Sequence, residues 1–521
     1  MFSRVAYQAL VNAIGQEYVS DDPAVTQAYT KNFWFESIPE ERQHRPAAIV
    51  LPSSVEDVQA IIRIANRHKF PFIPTATNLW TTCIPHGPGY VLIDAKRMDR
   101  IIEIDEKNMY ATIEPYVTYA QLHAEGIKKG LTLGIPMSSS QVSVLANHLF
   151  CGITGMNHWT GYQHRQILAV EIVLPDGEIL EIGSRGLPNA GNFWGEGPGP
   201  DMRGLLRGLW GHMGGMGMVT KMTVKLHPWV GPKTLEAKGL SPNREMVIPK
   251  TMKNYLINFD NTEDCIEAMY QIGASELGTS CTRITAFWGP CIMSRSANEL
   301  HKLWKSGLIK SMMGKGGGLV VRLEDFYEGQ IEYEEKVLKQ ICEETHGNMI
   351  PPEIMGPFDF VAGELIRPGS TLRAQRAAGM FFAIKLTGGS LEWAKETFER
   401  ANALKKDYIP QVFLDDDNSC WCASIDHGHM AYTEIYLYGE MNREAWKAGM
   451  ELTEKSVKED LGKRFIGAQF SEDVDLIGPH HLDYHLILRK FKRTFDPKNV
   501  SNPPNPISWE EKEGEWFKKG D

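Results

Sequence analysis

The sequence predicts an α+β chain of two domains, and three observations lead there. From Pro46 to about His227, short apolar strands alternate with amphipathic helices. A connector bearing Pro, Gly and Lys, residues 228–250, interrupts that alternation. Beyond it, 251–490 carries longer helical stretches with strand-like pieces between them, the pattern of an antiparallel sheet with helices packed on it. The expected domains are therefore 1–230 and 231–485.

Each element has its own local warrant. The first 15 residues read as a short amphipathic helix, not an export signal, because they lack a long apolar core and a small-residue cleavage site. A strand over 47–51 leads through a Pro-Ser-Ser turn into a helix over 55–68, where Val55, Val58, Ile61, Ile62 and Ala65 recur at helical spacing. Strands follow at 72–74 and 90–94, then a meander pair at 101–105 and 110–114, and a helix over 119–129. Pro175-Asp176-Gly177 joins strands 170–174 and 178–182 into a hairpin. Residues 218–226 close the block with near-strict alternation. In the second half, helices are expected near 261–271, 332–344 and 391–404, and strands at 380–385 and 432–438. A last helix at 486–494 precedes an extended tail at 495–506.

Composition excludes several classes of function. Of 521 residues, 42% are hydrophobic and 23% charged, which is globular and not disordered. With 55 Lys+Arg against 65 Asp+Glu the chain carries −10, so no nucleic-acid partner is expected. No apolar run reaches about 18 residues, so no membrane insertion is expected. Eight scattered Cys indicate reduced thiols and a cytoplasmic location. Cys420 and Cys422 are close, but no second pair accompanies them, so no metal is expected there.

Three segments carry chemistry. Residues 73–82 form a Thr-rich loop directly after a strand, able to aim N–H groups and hydroxyls at a phosphate. Residues 134–141, followed by 144–147, Gly152 and Gly155, are dense in small side chains that let a ligand approach the backbone. Residues 210–220 hold four glycines before a strand, with Met202, Met213, Met216 and Met218 in or beside them. Each alone reads as a tight turn, while three in one domain read as a cofactor cradle.

The ordered set resembles the FAD-binding domain of the vanillyl-alcohol oxidase / 4-cresol dehydrogenase flavoprotein family. The matching pieces are the run from Arg45 to Gln59, Ala65-Asn66 with Phe70-Pro71, Glu114 to Tyr119, Glu171 to Gly177, Gly214 to Lys221, and Phe491 with Phe495 to Val500. The resemblance implies an FAD domain split by a cap domain and completed by 486–521, and a homo-oligomer. It implies a pyrophosphate contact through Pro74, Thr75, Ala76, Thr77, Asn78, Leu79 and Thr81. Further FAD contacts fall on Pro136, Met137, Ser138, Ser143, Val144, Asn147, Gly152, Gly155, His158, Gly215, Gly217, Val219 and Asn502.

The departures redirect the chemistry. Where the family's pyrophosphate loop carries Arg and Gly, this chain has Thr77-Asn78-Leu79-Trp80. Trp80 falls near the phenolate-binding aromatic of the alkylphenol-oxidising branch, and Met137 near its Asp. That branch's Tyr-Arg pair corresponds to Arg464-Phe465, and the stretch matching its flavin-tethering His, 379–382, contains no His, so FAD is expected to be non-covalent. A replacement base is offered by His481 or His485, with Asp483 and Tyr484 beside them and Arg464 as an anion anchor. A polar, capped helix start explains the same histidines. His427, His429 and Glu434 form an alternative metal set. His148, Asn157, His158, Tyr162, His164 and Arg165 read as cofactor or interface hydrogen-bonding groups, and Glu364 with Arg367 as substrate-facing or as a surface pair.

The expected activity is FAD-dependent oxidation of an alcohol or alkyl C–H on a small aromatic, 4-alkylphenol-like substrate, with a possible electron-acceptor protein as partner. The alternatives are a 2-hydroxy-acid dehydrogenase using the cap metal, and a flavoprotein subunit for electron transfer or assembly.

Overall fold

The computed structural model describes residues 2–30, 44–78, 84–192, 194–197, 199–209, 211–239, 245–351, 378–414, 420–440, 442–461 and 471–511. The chain begins with the helix Arg4–Ile14, which buries Ala6, Tyr7, Leu10 and Ile14. These pack with the face Val58, Ile61, Ile62 and Ala65 of the helix Val55–His68, the face that the spacing anticipates. Ser54 caps that second helix by accepting from the Asp57 N–H, and the helix stops at Lys69, whose φ of 55° is left-handed. Beneath it, Ala48–Val50 and Phe72–Thr75 flank Val91–Asp94 as parallel strands, the pairing a strand–helix–strand crossover requires.

A second, five-stranded antiparallel sheet runs Ile101–Asp105, Tyr110–Ile113, Met218–Lys225, Ile167–Val173, Ile179–Ile182. Here one expectation needs correction. The alternation in Met218–Lys225 suggests one wet face, yet six of its eight residues are buried. Its polar side chains are satisfied across the sheet: Thr220 and Lys221 bond Glu171, and Thr223 meets Thr112 at 3.0 Å. A central strand buries polar groups at little cost once each finds a partner.

The second half contains a seven-stranded sheet in the order Asn348–Met349, Met252–Phe259, Gly317–Glu324, Ser280–Ile284, Cys420–Ile425, Met430–Gly439, Met380–Gly389, with every pairing antiparallel. Five of these strands are not legible in the sequence. Gly317–Glu324 and Ser280–Ile284 are buried at every residue, so no period of two survives in their text. The helix Arg443–Asp460, capped by Asn442, is likewise unforeseen. The anticipated helices extend over Thr262–Ala274, Gln330–Glu344, Leu391–Lys405 and Tyr484–Phe495.

The tail after that last helix is bonded to the first sheet. Phe72 N–H donates to Val500 O at 2.8 Å and Asn502 N–H to Phe72 O at 2.7 Å, so 500–502 runs along the edge strand Phe72–Thr75. Among the described residues, no helix is long and apolar enough to cross a membrane, and the seven described cysteines are free.

Candidate active site

The three small-residue segments meet. Pro74, at the end of the strand Phe72–Thr75, lies under the glycine loop: a Cβ on Gly214 would stand 2.5 Å from its ring. A Cβ on Gly215 would fall 1.9 Å from Asn505 O, and one on Gly217, at φ +113°, 2.2 Å from Val173 O. Only glycine permits these approaches. Thr77 Oγ1 accepts the Ser143 N–H at 3.2 Å, tying the first loop to the second segment. Ser143 in turn caps Val144–Phe150 and donates to Pro115 O at 2.6 Å. Asn147 donates to the Tyr119 hydroxyl at 2.9 Å, and Gly155 N–H to Ile135 O at 3.0 Å.

Among the described residues, several buried polar atoms in and around these segments lack a partner within the protein, among them Thr75 Oγ1, Asn78 Oδ1, His212 Nδ1 and Asn505 Oδ1. Orphaned polar atoms beside glycines that cannot carry a Cβ fit a polar, polyphosphate-bearing ligand. FAD satisfies that description, with Pro74–Asn78, 136–155 and 213–217 as the residues that would hold it.

The glycine loop is held from behind. Lys492, fully buried, donates to Gly215 O at 2.6 Å, Ser501 O at 2.6 Å and Asp496 Oδ2 at 2.8 Å. Asp496 accepts the N–H groups of Val500 and Ser501, and the Ser501 hydroxyl bridges Gly214 O and Gly217 N–H. Asn502 donates to Met213 O. Sequence reasoning named Asn502 and missed Lys492 and Asp496, although their i, i+4 spacing on the last helix was visible.

Opposite these segments, from the second half of the chain, stands a wall of aromatic side chains. In Met430–Gly439, Tyr432, Tyr436 and Tyr438 share one face, with Trp421, Trp288 and Phe287 packed among them. The opposite face, Ala431, Ile435 and Leu437, belongs to the core under the cap helices. Period two places Glu434 with the tyrosines, and Tyr432 Oη donates to its Oε1 at 2.9 Å. Met137, Phe150, Cys151 and Tyr162 from the first half of the chain pack against this wall. The signal in the sequence was Tyr, Glu, Tyr, Tyr at alternate positions 432–438.

The residues expected to be catalytic are placed as follows. His481, Leu482 and Asp483 turn tightly through two left-handed residues, leaving Leu482 97% exposed and Tyr484 41% exposed at the surface. His485 is buried with its ring over Gly478, and burial lowers its pKa. Trp80, Leu79, Thr81, Arg464, Glu364 and Arg367 lie outside the described residues. Among the expected FAD contacts, Ser138 is exposed, whereas Pro136 and Val219 are buried and Ala76 and Met137 half-buried. Gly152, at φ +70°, abuts the His164 ring. His158 ties the two halves of the chain together: its ring nitrogens meet Ser424 Oγ at 2.7 Å and Leu277 O at 3.0 Å.

The metal alternative is corrected. His427 lies against His158 with ring centroids 5.0 Å apart, His429 is exposed, and Glu434 lies among the tyrosines. Among the described residues no group of His, Cys, Asp and Glu is placed to hold a metal ion. Cys420 and Cys422 line the apolar core under the cap helices.

The buried histidines predict acid lability. Burial pushes His148 and His158 down to about 3 and His212 to about 4, from 6.5. These rings stay neutral in the fold and take up protons on unfolding, so their contribution is complete above the unfolded value and is lost as pH falls from 6.5 toward 3–4. Urea midpoints should fall between about pH 7.5 and about pH 5.5, with a limiting slope of ~1.4 kcal/mol per pH unit for each histidine. An unchanged midpoint would contradict it.

The fold and the cradle thus define a flavoprotein. Residues 46–183 match the family model described as an FAD binding domain. The chain is 32% identical over 234 residues to the 1'-carboxy-chondrochloren decarboxylase of Chondromyces crocatus, and 30% over 240 residues to the 4-cresol dehydrogenase [hydroxylating] flavoprotein subunit of Pseudomonas putida. Those matches take in 43% and 44% of this chain, and only 40% of each relative's length. A D-lactate dehydrogenase of Archaeoglobus fulgidus is 27% identical over 87% of this chain and 90% of its own. The solved 4-ethylphenol oxidase from Gulosibacter chungangensis has the same fold, with a TM-score of 0.76 at 20% identity over 98% of both chains. The chain thus carries an FAD binding domain, with FAD as its cofactor, and is similar in sequence and fold to the 4-cresol dehydrogenase and 4-ethylphenol oxidase flavoproteins.

Proposed function

We propose that this protein oxidises an alcohol or alkyl C–H group of a small aromatic substrate. The observation that supports the reading is the Tyr/Trp wall facing the cradle segments across the domain boundary. Such a wall offers ring faces for stacking and hydroxyls for orientation, and it buries an aromatic body well. Bound FAD supplies hydride acceptance; the chain's residues bind, orient and exclude water. Residues 1–230 with 486–521 are proposed as the FAD unit and 231–485 as the cap. The names of the 4-cresol and 4-ethylphenol enzymes point to the same substrate class.

A 2-hydroxy acid is the second reading, favoured by the long match to a D-lactate dehydrogenase. One experiment separates the two. The purified protein is expected to be yellow, and acid precipitation to leave the colour in the supernatant, as non-covalent flavin does. Under anaerobic conditions a 4-alkylphenol or aryl alcohol should bleach the flavin while D-lactate and glycolate do not. Bleaching by the hydroxy acids alone would replace the first reading with the second. A flavin that no substrate of either class reduces would point to a subunit that relays electrons for a partner.

A further inference from the structure

Glu434 occupies a place where packing alone has no use for a carboxyl group. Its strand is interior to the sheet, paired on one side with Cys420–Ile425 and on the other with Met380–Gly389, and Glu434 stands in register with Trp421 and Leu386. Its neighbours on the wall are aromatic or apolar, and among the described residues no ion pair includes it. Burying a carboxylate is expensive, so its presence calls for a reason. The hydroxyls of Tyr432, at 2.9 Å, and of Tyr436 bond it, which leaves acceptor capacity on both oxygens. The side chain is enclosed by protein yet keeps accessible surface, so it borders an internal space. Cys151, from the second cradle segment, faces Glu434 and bonds Tyr432, which places that space between wall and cradle.

We propose that the Glu434 carboxylate takes the hydroxyl proton of a neutral phenol or aryl alcohol bound against this wall, with Tyr432 and Tyr436 positioning it. The assignment rests on the aromatic-substrate reading. The substrate O–H bond breaks, a carboxylic O–H bond forms, and the substrate oxygen keeps the electron pair, so the step needs no oxidant. The other titratable groups facing the space are Tyr432, Tyr436 and Tyr438 from the same strand and Cys151 and Tyr162 from the first domain, with Arg165 beside Tyr162. Burial pushes Tyr162, Tyr432 and Tyr436 up and Cys151 up to about 12, so these groups hold their protons. Burial also raises Glu434, toward the range in which a carboxyl exchanges protons with a phenol.

The test is calorimetric titration of the FAD-loaded protein with 4-nitrophenol, in two buffers of different ionisation enthalpy, from mildly acidic to mildly alkaline pH. Above the phenol's own pKa, wild-type protein should take up about one proton per phenolate bound, with affinity falling about tenfold per pH unit. Glu434→Gln should bind without proton uptake, with affinity changing less than about threefold per pH unit over the same range. Tyr432→Phe should keep the uptake and move its midpoint to higher pH, because the carboxylate loses a donor. Flavin content and melting temperature confirm that each variant folds, and the wild-type uptake decides the matter even if Glu434→Gln does not. Equal uptake in wild type and Glu434→Gln, or none in wild type, would overturn the role of Glu434 while leaving the aromatic site standing. Failure of 4-nitrophenol to bind at all would overturn both.

Discussion

Replacing Lys492 by Met is expected to cost about 3–5 kcal/mol of stability and to release the cofactor, because it leaves one partner of a buried ion pair uncompensated. Lys492 is fully buried, and its ammonium serves Gly215 O, Ser501 O and the Asp496 carboxylate together. Methionine matches its length, so the loss is electrostatic and not a cavity. Burial pulls the Lys492 pKa down while Asp496 pulls it back up, which marks the carboxylate as what keeps the ammonium charged. With the cation gone, Asp496 retains, among the described residues, only the N–H groups of Val500 and Ser501, and two buried carbonyls lose a donor. The double change Lys492→Met with Asp496→Asn should be milder than Lys492→Met alone, because the stranded charge disappears with its partner. Urea melts and flavin-to-protein ratios measure both effects. A Lys492→Met protein within about 1 kcal/mol of wild type and fully yellow would rule out this account of the loop.

Gly215→Ala should abolish FAD retention with a smaller loss of stability, about 1–3 kcal/mol. The new Cβ would lie 1.9 Å from Asn505 O and 2.6 Å from the Pro506 ring, and a backbone carbonyl cannot swing aside as a side chain tip does. The loop 213–217 must then move away from 502–506, which displaces the Lys492 acceptor Gly215 O as well. The two changes share a partner, so their effects should not add. Gly204→Ala is the control: nothing lies within 4 Å of its Cβ, and flavin content should match wild type. Equal flavin affinity in the Gly215 and Gly204 variants, by fluorescence titration, would show that the close approach at Gly215 is not needed.

The sequence made the first half of the fold legible because its helices are wetted on one side and its short apolar strands are bounded by turn residues. The 55–68 helix shows its core face in the spacing of four apolar residues, with Ser before it and a basic last turn after it. The cradle loops were visible for a related reason: close backbone approach demands small residues, and small residues are conspicuous in text. The cap was harder. Strands such as Gly317–Glu324, sealed on both faces, carry no period, and the wall residues 432–438 were seen as a strand without being assigned a face.

Alone, therefore, the sequence determined an α+β flavoprotein with a glycine-rich cradle, because local periodicity and steric permissiveness are written residue by residue. Only the tertiary structure decided three things: that Lys492 braces the cradle from 277 residues away, that His427, His429 and Glu434 form no metal-holding group among the described residues, and that Glu434 stands among tyrosines opposite the cradle. Each depends on contacts between segments far apart in the chain, and hydrogen bonds or burial at such distances leave no mark on the spacing of neighbouring residues.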